Sequence, residues 1–280
     1  MDRKVIIFFS VTFAFFLTVA LEAQAGPDRI KVSVSIPPQA YFVERIGGDR
    51  VETQVMLPGH SDHDTYQPTP QQLIRLSQSR VYVKVGVADF TFEARYIEPA
   101  LAGRKIKVID MSQGVRILNG DPHIWTAPAP VRQAALNIYR GLSEFDPPSA
   151  ALYKRNLDKF LADIDSLDRD IKGLLKGKAG GAFLIYHPAL GYFAAQYGLI
   201  QLSIETEGKT PSASQIRRTI ETARSKGIKT VFVQKGFDRK NASAIAADIG
   251  GKLEEIDPLD RDWVRGTRAA AIKVSSAVRK

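Results

Sequence analysis

Residues 148–176 read PSAALYKRNLDKFLADIDSLDRDIKGLLK, and the reading of this stretch decides the fold. Leu157, Phe160, Leu161, Ile164, Leu167, Ile171, Leu174 and Leu175 recur at steps of three and four, the period of one helical face. Lys154, Arg155, Asp158, Asp163, Asp165, Asp168 and Lys172 fill most of the positions between them. Pro147 and Pro148 suit an entry turn, Ser149 a cap, and Gly173, Gly177 and Gly180 the exit. At 1.5 Å per residue the helix is a rod of roughly 40 Å, about the width of a domain. Three of the four histidines precede it and one follows. A stiff spacer between two halves, with polar groups on both sides of it, predicts a site at a lobe interface.

Outward from the rod, both halves alternate strand and helix. On the amino-terminal side, strands are expected over Ile30 to Ile36, Val51 to Leu57, Val81 to Val87 and Lys107 to Asp110. Helices are expected over Gln39 to Ile46, Gln71 to Gln78 with Thr69 as cap, Phe90 to Leu101, and Pro130 to Phe145. The strict alternation of Ile30, Val32, Val34 and Ile36 with Lys31, Ser33 and Ser35 predicts a half-buried first strand. Beyond the rod the expected strands are Ala182 to Tyr186, Ile200 to Glu205, Thr230 to Gln234 and Lys252 to Ile256. Helices Ala189 to Tyr197, Ser212 to Lys226, Lys240 to Ile249 and Trp263 to Val278 separate and follow them. The predicted fold class is therefore α/β, with two doubly wound parallel-sheet lobes joined by one long rigid helix. The expected divisions are a signal peptide over 1–25, an amino-terminal lobe over 26–145, the linking helix over 146–178 and a carboxy-terminal lobe over 179–280.

Composition narrows the function classes. Arg3 and Lys4 precede the apolar run Val5 to Ala20, and Ala23-Gln24-Ala25 has the small residues of a cleavage site. That predicts export with cleavage near Ala25, and a periplasmic location. The chain has no cysteine, which excludes an acyl anchor, a disulfide framework and thiolate metal sites. Any metal must be held by histidine, aspartate, glutamate or backbone oxygen. The net charge is +9, but the basic residues are interspersed with acidic ones and form no run. No nucleic-acid partner is expected.

All four histidines, His60, His63, His123 and His187, fall in predicted loops or at strand ends. In open α/β sheets, ligands bind in the crevice beyond the carboxyl ends of the strands. His63 follows the strand ending at Leu57, His187 ends the strand from Ala182, and Asp257 ends the strand from Lys252. His123 lies on the longer loop after Asp110. A lone loop histidine is ordinarily a solvated surface group, and a lone Asp-Pro a turn. Three imidazoles and a carboxylate facing one cleft are a transition-metal donor set. Gln234 is placed to act as an outer acceptor behind one of these rings. Glu205 reads as a charged strand end, and Trp125 and Tyr192 as packing.

These residues resemble the zinc and manganese class of substrate-binding proteins that serve metal ABC transporters. The resemblance spans nearly all of Ile30 to Val278. It rests on Pro58-Gly59 through Tyr66-Gln67-Pro68-Thr69-Pro70, on Asp121-Pro122-His123-Ile124-Trp125, and on Tyr186-His187-Pro188-Ala189-Leu190-Gly191-Tyr192-Phe193. Glu205 to Pro211 and Asp257-Pro258-Leu259 extend it. It implies metal ligands at His123, His187 and Asp257. Counting forward from Pro58-Gly59 puts the remaining ligand at His63, and counting back from Tyr66 puts it at Asp64. His63 is preferred because imidazole suits zinc, with His60 as an additional ligand or entry group. The resemblance further implies a monomer that binds Zn2+, or Mn2+, and hands it to an ABC permease of the inner membrane. Three histidines favour zinc, since manganese prefers oxygen. The long His- and Asp-rich loop of some zinc-specific members is missing.

Two other classes compete. A secreted zinc-dependent hydrolase needs an open coordination position and a general base, and no His-Glu-X-X-His run exists. A metal-independent adhesin or solute binder would leave the histidines incidental. The expected protein is a carrier and not an enzyme.

Overall fold

The computed structural model describes residues 29–205, 212–237 and 239–278. The expected signal peptide lies outside the described residues. Strands β1 (Ile30–Val34), β2 (Val51–Val55), β3 (Val81–Lys84) and β4 (Lys107–Asp110) form a parallel sheet in the order β2-β1-β3-β4. Strands β5 (Ala182–Ile185), β6 (Ile200–Ser203), β7 (Thr230–Gln234) and β8 (Lys252–Ile256) repeat that order as β6-β5-β7-β8. The strand order reverses at the central pair of each sheet, β1-β3 and β5-β7, which opens a crevice at the carboxyl ends. Helices α1 (Pro37–Gly47), α2 (Pro70–Ser77), α3 (Glu98–Leu101) and α4 (Pro128–Phe145) belong to the first lobe. The rod is α5 (Ala150–Leu174), and α6 (Gly191–Tyr197), α7 (Ala213–Ser225), α8 (Arg239–Asp248) and α9 (Trp263–Ala277) follow it. Among the described residues no helix is long and apolar enough to cross a membrane.

Capping residues set several helix starts where the sequence put them. Thr69 and Ser212 accept from the amides of Gln72 and Gln215, whose side chains reach back in reciprocal capping boxes. Ser149 makes no side-chain cap; the rod is instead entered through the short 3₁₀ turn Pro147–Ser149. Helix α1 begins at Pro37, earlier than the expected Gln39, because proline at the first helical position forfeits no hydrogen bond. The expected regular helix from Phe90 contains a π-helical turn over Glu93–Ile97.

Strand β1 is not half-buried. It lies between β2 and β3 with both faces covered, so Ser33 and Ser35 are buried along with the apolar residues. Their hydroxyls are satisfied inside the core, Ser33 by Ser79 at 2.7 Å and Ser35 by Tyr82 and Glu93. Burial pushes the Glu93 carboxyl up to about 7, against the hydrogen bonds from Ser35 and the amides of Val85 and Gly86.

The rod buries Tyr153, Leu157, Phe160, Ile164, Leu167 and Ile171, while Leu174 turns outward at 38% exposure. This face packs against α1 and α4 of the first lobe and α9 of the second. Phe160 stands 5.7 Å from Phe42 on α1 and 6.3 Å from Trp263 on α9, and the last two are 5.5 Å apart. One aromatic cluster therefore joins the rod to both lobes; one apolar cluster extends through all three, and a second lies within the carboxy-terminal lobe around α7 and α8.

Phe160→Ala is expected to cost about 3–5 kcal/mol, the range for deleting a buried aromatic. Leu174→Ser should stay within about 0.5 kcal/mol of the parent. Urea unfolding of both variants checks the assignment; equal losses would show that the buried face of the rod is misidentified.

Candidate metal centre

Each histidine of the group sits on a loop after a strand end. His63 is on the loop between β2 and α2, His187 two residues beyond β5, and His123 on the connection from β4 to α4. Sheet packing brings these three loops to one point between the lobes. His123 Nε2 lies 3.2 Å from His63 Nε2 and 3.1 Å from His187 Nε2. All three rings are buried, and one nitrogen from each lies within 4.8 Å of the others. Nitrogens bound at zinc distances in a tetrahedron stand about 3.3 Å apart, so the spacing suits one shared ion.

Carboxylates behind the rings set which nitrogen faces inward. His123 Nδ1 donates to Asp121 Oδ1 at 2.7 Å, which leaves a lone pair on Nε2. His187 Nδ1 lies 3.3 Å from Glu205 Oε2 and is oriented the same way. Asp64 Oδ1 lies 3.2 Å from His63 Nδ1 without hydrogen-bond geometry, and among the described residues that buried nitrogen has no hydrogen-bond partner. Burial pushes His123 down to about 4, with His187 and His63 adding to the effect and Asp121 opposing it. Burial works to raise Asp64, yet His63, His187 and the Thr91 hydroxyl outweigh it and hold the carboxyl below its ordinary range.

The other two candidates are placed differently. Asp257 lines a pocket of about 30 Å³ together with the three histidines, Gln234 and Lys235. Its Oδ2 faces His60 Nδ1 at 3.8 Å and Lys235 Nζ at 3.9 Å, and it is not part of the three-nitrogen group. Burial lifts the Asp257 carboxyl above its usual range, against the pull of His60, the Leu259 amide and Lys235. His60 is the most exposed of the four, with 45% of its side chain accessible, and adopts a φ of 76°. Asp64 stands behind His63, so the two counts along the loop arrive at adjacent members of one pair.

Gln234 is not a ring partner. Its amide instead brackets the His187 backbone, donating to the carbonyl at 2.6 Å and accepting from the N–H at 3.4 Å. The ring acceptors Asp121 and Glu205 went unrecognised in the sequence. Asp121 was accessible from its place two residues before His123; Glu205 becomes a neighbour of His187 only through the pairing of β5 with β6.

The lobes meet closely around this group. Trp125 Nε1 donates to the Pro258 carbonyl at 3.0 Å, and Trp263 Nε1 donates to the Trp125 carbonyl at 2.6 Å. Tyr192 accepts from the Leu118 amide and donates to the Asp121 carbonyl, both at 3.1 Å. Gly191 makes this approach possible, since a Cβ there would lie 2.3 Å from Asp121 Oδ2. At Gly236, with φ +91°, a Cβ would lie 2.1 Å from the His60 carbonyl. The three rings also line a cleft of about 840 Å³, together with Asp64, Asp89, Asp121 and Glu205.

Known proteins carry the same architecture. The family model described as zinc-uptake complex component A, periplasmic (ZnuA) matches residues 32–267. The high-affinity zinc uptake system protein ZnuA of Bacillus subtilis (strain 168) is 21% identical over 266 residues, covering 85% of this chain and 81% of its own. A crystal structure of ZnuA superposes with a TM-score of 0.85 at 39% identity, over 89% of this chain and 99% of that one. The substrate-binding protein FpvC of Pseudomonas aeruginosa, solved with Mn2+, shares the fold at a TM-score of 0.77 and 23% identity, over 89% and 98%. Two parallel sheets bridged by one long helix, with a match over most of its length, make this chain a member of the ZnuA family of metal-transport substrate-binding proteins, which are not enzymes.

Proposed function

We propose that the protein is an exported, monomeric carrier that binds Zn2+ between its lobes and delivers it to an ABC permease of the inner membrane. The observation that carries this reading is the convergence of three buried imidazole nitrogens from loops of both lobes. His63, His123 and His187 are the proposed ligands. Asp257, on the wall of the same pocket, completes the set by turning its carboxylate away from His60 and Lys235. The nitrogen-rich donor set favours zinc over manganese, which prefers oxygen donors. The zinc-bound structure of a ZnuA deletion mutant, 39% identical over 90% of this chain, supports the same choice. The lobes, taken as 26–145 and 179–280, hold their spacing across the 146–178 linker, so metal loss should move loops more than lobes.

Calorimetric titration with Zn2+ tests this directly. One tight equivalent is expected. Alanine at His63, His123 or His187 should each weaken binding by about 100-fold or more, and Asp257→Ala by less, because only the imidazoles are already gathered. Affinities that do not change in the histidine variants would remove the assignment.

Asp121→Asn keeps the size of the group behind His123 but weakens its hold on the ring. The expected loss is about 10- to 100-fold in zinc affinity, the usual range for an outer acceptor. An effect below twofold would show that Asp121 does not orient the ring.

Acid stability gives a third check, on metal-free protein. Folded His123 stays neutral down to about pH 4, while the unfolded chain takes up a proton near pH ~6.5. Its folded pKa is thus depressed, so stability is retained above ~6.5 and lost as pH falls toward 4, by on the order of 3 kcal/mol. Urea midpoints measured between pH 7 and 4 should fall more steeply for the parent than for His123→Gln; parallel curves would contradict the assignment.

A further inference from the structure

We propose that the loop bearing His63 forms a second, outer cation site from Asp62, Asp64 and His63 Nδ1, which receives a divalent metal ion and passes it to the three-imidazole group. The inference rests on the reading that the protein binds such an ion. One ligand atom from each of Asp62, His63 and Asp64 lies within 4.8 Å of the others. His63 is only 8% exposed, and its buried Nδ1 has no hydrogen-bond partner among the described residues. A buried ring nitrogen of this kind is rarely left unsatisfied. Asp64 Oδ1, 3.2 Å away, is too misaligned to satisfy it and is well placed to share an ion with it. One imidazole nitrogen with two carboxylates is a donor set for zinc or a similar divalent ion.

The position also has an approach. Asp64 lines the 840 Å³ cleft together with Asp89, Asp121 and Glu205, and His63, His123 and His187 line the same cleft. A cation in that cleft has carboxylates as well as imidazoles around it.

The two nitrogens of His63 make the transfer sequential. With the ion on Nδ1, the ring proton is on Nε2; with the ion on Nε2, the proton is on Nδ1, facing Asp64. Transfer breaks the Nδ1–metal bond, forms the Nε2–metal bond and moves one proton between the nitrogens through solvent. Nothing is oxidised or reduced. A neutral His63 serves one site at a time, so the outer position is occupied in transit.

The test removes the inner site and looks for what remains. His123→Ala/His187→Ala, with its fold checked by circular dichroism, is titrated with Zn2+ alone. It is expected to keep one equivalent, bound about 100-fold or more weaker than in the parent, and adding Asp62→Asn should weaken that by about tenfold or more. A folded double variant that binds no zinc, or residual binding indifferent to Asp62→Asn, overturns the proposal. A second measurement uses the otherwise unaltered protein. Zinc association, followed by competition with a chromophoric chelator, should slow more in Asp62→Asn than in Asp89→Asn, which removes the same charge from the cleft wall. Equal slowing would mean long-range attraction only, and overturns the outer site. Titration of the parent separates the two readings: tight binding there with a failed double variant discards the outer site and keeps the carrier function.

Discussion

The ring nitrogen of His123, packed between those of His63 and His187, is the contact on which the site depends. Protonating His123 would place a buried cation against two other rings, a cost that holds it well below its ordinary pKa. Neutrality alone does not aim the lone pairs inward. The carboxylates of Asp121 and Glu205 do that, by drawing the remaining ring proton to the outer nitrogen. Outer acceptors of this kind determine both the direction and the basicity of a metal-binding imidazole. The remainder of the molecule can be understood as the means of holding these groups in register.

That register is kept by a frame with few degrees of freedom. Each sheet delivers its loops at the carboxyl ends of the strands, and the two sheets have one strand order. The rod is common to both lobes, with Phe160 between Phe42 and Trp263. Trp125 and Tyr192 then tie one lobe's loops to the other's backbone beside the rings. A shift of either lobe would have to disturb packing and directed hydrogen bonds together.

Much of this was legible in the sequence because it is written in local periodicity. The three-and-four spacing from Leu157 to Ile171 gave the rod, and Thr69 and Ser212 gave helix starts that the reciprocal Gln72 and Gln215 contacts reproduce. What was not legible depends on neighbours remote in the chain. Ser33 and Ser35 look like the wet side of an alternating strand, and are buried because β1 is central and its far face is covered. Leu174 continues the apolar spacing but faces outward, and its neighbour Leu175 takes the buried position instead. Glu205 is a strand-end charge until β6 pairs with β5 and brings it behind His187. The histidines could be grouped from their loop positions, whereas the direction of the Asp257 side chain depends on His60 and Lys235, each from a different loop.

The indole contacts across the lobe boundary have an optical consequence. The chain has only two tryptophans, and both are buried at this boundary, each donating its N–H to a backbone carbonyl. Trp125 also stands 5.1 Å from the His123 ring. All tryptophan emission of the protein must therefore originate within the seam, and none from its outer surfaces. Without any dye or label, the colour and yield of that light register the state of the junction where the lobes and the imidazoles meet.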